Sequence, residues 1–179
     1  MNDFFVDLAV TGTVLGLDHT SDLATVQSVF GEPGQRTAKH SLLIDTGLVE
    51  FGWTRGGADQ DWSISYFGAQ THRLPWLTDK GLVGAALVER YGEFPSRLDI
   101  DELRAAVSAR SGSLEERPSA NTGYLELWSP VSRTSVLVAV DPAETGERAG
   151  TVVKMLGPLA SVGRRRLSVS SGTLCVDRI

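Results

Sequence analysis

Gly47-Leu48-Val49-Glu50-Phe51-Gly52-Trp53 is the stretch on which the fold turns. Side chains of an extended chain alternate between two faces, so Val49, Phe51 and Trp53 share one side and Glu50 takes the other. A second alternating run, Trp62 to Phe67, sets Trp62, Ile64 and Tyr66 on one face. Gly56-Gly57-Ala58-Asp59 between them is turn chemistry, and two alternating runs joined by a glycine-rich loop predict a β-hairpin. Upstream, Ser41 to Ile44 is a short strand ended by the turn Asp45-Thr46-Gly47. Downstream, Ala69 to Leu74 reads as a further strand stopped by Pro75.

Helices flank this hairpin. From Asp22 to Phe30, Leu23, Val26, Val29 and Phe30 recur at helical spacing. Thr20 or Ser21 is placed to cap the first amides, Gly31 follows the last periodic residue, and Pro33 prevents continuation. Thr78 to Tyr91 carries Leu82, Val83, Ala86, Leu87 and Tyr91 on one stripe, with Thr78 as cap and Gly92 as stop. A third helix spans about Asp101 to Arg110. Its apolar face is Ile100, Leu103, Ala106 and Val107, and Asp99 with Glu102 resembles a capping box.

Strand signals then return at Leu114 to Arg117, Tyr124 to Trp128, the β-branched run Thr134 to Val140, and Thr151 to Leu156. Asn121-Thr122-Gly123 and Asp141-Pro142 break the runs, and Glu144 to Gly150 reads as loop. The pattern predicts an α+β fold, with helices packed on an antiparallel sheet.

The chain also echoes itself. Gly123-Tyr124-Leu125-Glu126-Leu127-Trp128 matches residues 47 to 53 in kind, and aligning the glycines pairs Glu50 with Glu126, a shift of 76. Aligning the helix entries, Asp22 with Asp99, gives 77. Two features with nearly one shift predict related halves in tandem, residues 1–76 and 77–160, followed by a tail or last strand over 161–179.

Bulk composition narrows the class. A chain of 179 residues buries about 70% of its unfolded surface, enough to fold without metal or disulfide. A net charge of −5 gives no long-range attraction to a phosphate backbone, which argues against nucleic acid as partner. The run Arg164-Arg165-Arg166 reads as a solvated turn. The single cysteine, Cys175, makes an internal disulfide impossible and fits a reducing compartment. The start, Met1-Asn2-Asp3-Phe4-Phe5-Val6-Asp7, lacks the basic end and apolar run of a secretory signal. No stretch approaches the ~18 apolar residues of a membrane span, so no membrane association is expected. These features together predict a cytoplasmic protein.

Catalytic patterns are missing. The histidines His19, His40 and His72 have no close ligand-spaced neighbours, so no metal site is expected. His72 in Gln70-Thr71-His72-Arg73 is a general-base candidate without an identifiable partner. Glu115-Glu116 and the set Asp99, Asp101 and Glu102 suit solvent and a helix dipole better than a cleft. There is no nucleophile elbow, phosphate loop or dinucleotide fingerprint. Neither a cofactor nor a catalytic residue is expected.

Gly16-Leu17, Leu23, Val26, Phe30 and Gly31-Glu32-Pro33 resemble the helix entry of the BamE/SmpA-like domains. Two such helix-plus-sheet units in tandem resemble the architecture of the β-lactamase inhibitory protein family. The likeness covers residues 14 to 74, and more loosely 98 to 141. The chain lacks the lipoprotein signal of the first group and the disulfides of the second. The resemblance implies a binding surface on a sheet and no catalysis.

The expected function is therefore a non-catalytic protein-binding module of immunity or inhibitor type. Its contact residues would be Glu50, Trp53, Trp62, Tyr66, Glu126 and Trp128, strand aromatics and acids of which an uncovered sheet face would suit a basic protein. The rival reading is a small-molecule binder or unrecognised enzyme, with a pocket on the sheet formed by Trp62, Tyr66 and His72. Self-association through an exposed edge at Thr134 to Val140 is the third.

Overall fold

The computed structural model describes residues 1–31, 34–119 and 121–158. Eight strands form one antiparallel sheet: β1 (Gly34–Thr37), β2 (Ser41–Asp45), β3 (Val49–Thr54), β4 (Ser63–Ala69), β5 (Glu115–Arg117), β6 (Tyr124–Trp128), β7 (Ser135–Ala139) and β8 (Val152–Leu156). Their order is β1-β2-β3-β4-β8-β7-β6-β5. The helices are α1 (Asp3–Thr11), α2 (Leu23–Phe30), α3 (Leu74–Lys80), α4 (Ala85–Tyr91), α5 (Ile100–Ala109) and the short α6 (Pro142–Thr145). The class is α+β, as the alternating and helical patterns require.

Each half of the sheet is a four-stranded meander that runs inward from an edge, and the two meet where β4 pairs with β8. A capped helix precedes each meander: Asp22 accepts from the Thr25 amide at the head of α2, and Asp99 from the Asp101 amide at the head of α5. Asp22 is thus the cap of α2, in place of Thr20 or Ser21. Accepting the Thr25 amide holds its carboxyl below the ordinary carboxylate range. The echo of residues 47–53 at 123–128 does not follow strand position. It matches β3, third in its meander, with β6, second in its own. Loops are longer throughout the second half, so the separation of strands in equivalent places grows along the chain instead of staying at 76 or 77.

Four other expectations change. Ala69 to Leu74 is not a strand: β4 ends at Ala69, and a 3-10 turn, Thr71–Arg73, leads into α3 with Pro75 in its first turn. Proline is tolerated there because those amides have no helical partner. The helix expected over Thr78 to Tyr91 is broken in two, with Gly81 and Gly84 at positive φ between α3 and α4. Thr78 caps nothing; its hydroxyl donates to the Leu74 carbonyl. The run Thr134 to Val140 is not an edge, since β7 pairs with β6 and β8 on its two sides. Among the described residues the edges are β1 and β5. Finally, residues 3–11 form a helix that the pattern reading passed over. Phe4, Phe5, Val6, Leu8 and Ala9 are all buried, which leaves Asp3, Asp7 and Thr11, four residues apart, as a narrow polar stripe.

α1 packs against α5 and α4. Its last carbonyls are satisfied from far along the chain: Ser132 Oγ donates to Ala9 and Thr134 Oγ1 to Leu8. The expected division at residue 76 falls inside α3. One apolar cluster runs beneath the whole sheet, and no helix among the described residues is long and apolar enough to cross a membrane. Cys175, Arg164-Arg165-Arg166 and the tail from Ser161 lie outside the described residues.

Candidate functional site: the helix-free face of the sheet

Among the described residues, all the large helices pack on one face. Their buried side chains join Leu42, Ile44, Val49, Phe51, Trp53, Phe67, Val136, Val138 and Met155 in a single core. Alternation sends the intervening residues to the other face. In the first meander these are Leu43, Asp45, Glu50, Gly52, Tyr66 and Gly68; in the second they are Tyr124, Glu126, Trp128, Ser135, Leu137, Lys154 and Leu156. One cross-strand row passes through Trp128, Ser135, Leu156, Gly68 and Glu50, so the face is continuous across the joint. Tyr66, Trp128, Leu137, Lys154 and Leu156 are each partly exposed on it.

The six expected contact residues divide between the two faces. Trp53 is 2% exposed and stacks on Phe51 with ring centroids 6.0 Å apart, which makes it core. Trp62 and Ile64 also lean on the core. They do not share a face with Tyr66, because β4 is bulged: Tyr66 pairs with Gly52 and Ile64 with Trp53, which leaves Ser65 as the extra residue. A bulge of one residue reverses the side-chain alternation beyond it. Trp62 is covered by Arg55, whose guanidinium carbon lies 4.4 Å from the ring centroid. Trp62, Tyr66 and His72 therefore make no common pocket. His72 is exposed, with Nδ1 3.2 Å from the Val153 carbonyl, which can only accept. Glu50, Tyr66, Glu126 and Trp128 do share the helix-free face.

The acids on this face are engaged by the protein itself. Glu50 is only 8% exposed. It is ion-paired with Arg73 and accepts from Gln70 Nε2 at 2.8 Å, while Tyr66 Oη lies 3.5 Å away. Arg73 also holds both Asp45 carboxylate oxygens at 3.2 Å and the Gly47 carbonyl at 3.1 Å. Glu126 accepts from Ser135 Oγ at 2.6 Å and sits opposite Arg117, whose guanidinium covers Trp128 at 3.7 Å. Glu50 is therefore not free to meet a basic partner, whereas Glu126 is partly exposed and has no ion pair among the described residues.

The same turn closes the sheet's midline. β4 and β8 share two residue pairs only, Gly68 with Leu156 and Ala69 with Met155. Beyond them Thr71 Oγ1 donates to the Val152 carbonyl at 2.7 Å. Residues 70–73 thus supply the bonds that a longer β4 would have made, and tie them to the β2–β3 turn through Arg73.

Burial, then the Glu50 carboxylate, pushes the Tyr66 phenol up to about 12 from its ordinary 10. The fold favours the protonated phenol, so the stability it contributes is complete below pH 10 and is lost as pH rises through 12. Burial and the Asp7 carboxylate raise Tyr91 as well, so in a Tyr91→Phe background spectrophotometric titration near 295 nm is expected to show one tyrosine ionising about two units above a free phenol, and adding Tyr66→Phe to abolish that late step. Its survival once Tyr66→Phe is added would mean the burial of Tyr66 is misassigned.

A second concavity lies away from the sheet face. Phe30, Trp76, Leu77, Leu82, Ala85 and Ala86 line an open groove of about 530 Å³ between α2, α3, α4 and the β2–β3 turn. Trp76 and Leu82 are 47% and 50% exposed there. Of the carboxylates considered for catalysis, Asp99 caps α5 and Glu116 pairs with Arg104 at 3.1 Å. Among the described residues, no three His, Cys, Asp or Glu side chains are grouped to hold a metal ion.

No family model, no curated protein and no solved structure matches the chain. Its architecture defines the class, α+β with one helix layer on an antiparallel sheet, and its own side chains are what speak to function.

Proposed function

We propose that this chain is a non-catalytic protein-binding module that masks another protein with the helix-free face of its sheet, as immunity and inhibitor proteins do. The observation that carries this reading is the face itself. Eight strands present Tyr66, Leu156, Leu137, Trp128 and Tyr124 partly exposed, on the side away from every large helix. Aromatic and aliphatic side chains on a rigid, continuous surface are the usual anchors of protein interfaces. Asp45 and Glu50, ion-paired with Arg73 within the face, favour an apolar contact over a strongly basic one. The likeness of residues 14–74 to small binding modules supports the same reading, and a lone cysteine supports a cytoplasmic setting.

Affinity capture tests it. The immobilised protein is expected to retain one protein stoichiometrically from a lysate of its source. Leu137→Asp together with Trp128→Ala should abolish retention while circular dichroism stays unchanged. Equal retention by the variant, or none by the wild type, overturns the reading.

The groove beside Trp76 favours a second reading, a small apolar ligand, since its volume falls in the range of ligand pockets. Saturable stabilisation by members of a small-molecule library, lost in Leu82→Asp, would support it. Stabilisation that persists in Leu82→Asp would exclude it.

A further inference from the structure

We infer that the masked protein presents a carboxylate set among apolar side chains, received by Lys154 at the centre of the helix-free face; this rests on the function proposed above. Lys154 lies on β8, one of the two strands at the sheet's midline. Its cross-strand row runs Arg117, Glu126, Leu137, Lys154, and Leu156 follows it on the same face of β8. The side chain is only partly exposed, with aliphatic neighbours in Leu137 and Leu156.

Asp45 and Glu50 on the face are ion-paired, whereas Glu126 and Arg117, like Lys154, form no ion pair among the described residues. Asp45 and Glu50 share Arg73, and Glu126 takes the Ser135 hydroxyl opposite Arg117, which lies on Trp128. An ammonium placed centrally, amid apolar surface, attracts little while solvated but selects strongly once a partner excludes water. It would be left uncompensated by an apolar or basic contact, and matched by an acid. The chain's net charge of −5 would slow the approach of a strongly acidic protein, so a single carboxylate within an apolar patch fits best.

The test is selection from a displayed random-peptide library on the full chain, with Trp128→Ala, Lys154→Met and Lys154→Glu as counter-targets. Selected peptides are expected to carry Asp or Glu flanked by apolar residues. They should lose affinity several-fold with Lys154→Met and at least about tenfold with Lys154→Glu, where two acids meet. They should weaken also with Trp128→Ala. Peptides that depend on Trp128 but carry no acid, or bind Lys154→Glu equally well, would overturn the role of Lys154 and leave the binding face standing. Enrichment of no peptide that depends on either residue would bring down both. Thermal unfolding of the three variants, expected to stay close to wild type, separates loss of contact from loss of fold.

Discussion

Trp53→Ala is expected to lower the free energy of unfolding by about 3–5 kcal/mol, the range for truncating a large buried aromatic. The residue is fully enclosed, stacked on Phe51, which in turn stacks on Phe67 with ring centroids 5.8 Å apart. Urea unfolding followed by circular dichroism would read the change as a lower midpoint at unchanged slope. A loss under about 1 kcal/mol accompanied by loss of partner binding would instead make Trp53 a surface contact. The distinction matters in practice. In a capture experiment Trp53 is a poor control, because its variant weakens binding by weakening the fold.

Arg73→Met should cost about 3 kcal/mol. Removing one member of a largely buried ion pair leaves the other without compensation, and Glu50 has only Gln70 and Tyr66 left as donors. Arg73 retains 22% side-chain exposure, so some water can reach the stranded carboxylate and the lower end of the usual range applies. The same guanidinium also anchors Asp45 and the Gly47 carbonyl, which adds loosening of the β2–β3 turn. Adding Glu50→Gln to Arg73→Met should recover part of the loss, with a coupling of about 1–3 kcal/mol in the double-mutant cycle. Additive effects would show that the two side chains stabilise the turn independently.

Both predictions concern residues whose role changed between chain and fold. Glu50 was legible as the polar position of an alternating strand. Its partner was not, because Arg73 lies 23 positions away in a stretch that read as strand and is in fact a turn. Trp62 and Tyr66 are four residues apart in one alternating run, and an unbulged strand would put them on one face. The extra residue, Ser65, is chemically ordinary and carries no mark of its role. α1 escaped for another reason. Its polar stripe, Asp3, Asp7 and Thr11, is only one residue wide, and the apolar run Phe4-Phe5-Val6 beside it gives little sign of the helical period.

Local chemistry decided the elements of this protein. Alternation over residues 49–53 and 124–128 demanded strands, the apolar stripes of α2 and α5 demanded helices, and glycine stops with aspartate caps set their ends. Those terms act over a few residues, so they can be read along the chain. Tertiary structure decided which strands became neighbours, which face each aromatic took, and which charges were already satisfied. These depend on pairing between segments about 90 residues apart, such as Gly68 with Leu156, and on a single-residue bulge that reverses a face. The strand order is set by which meander ends can bury apolar surface together, a property of the assembled core and of no local stretch.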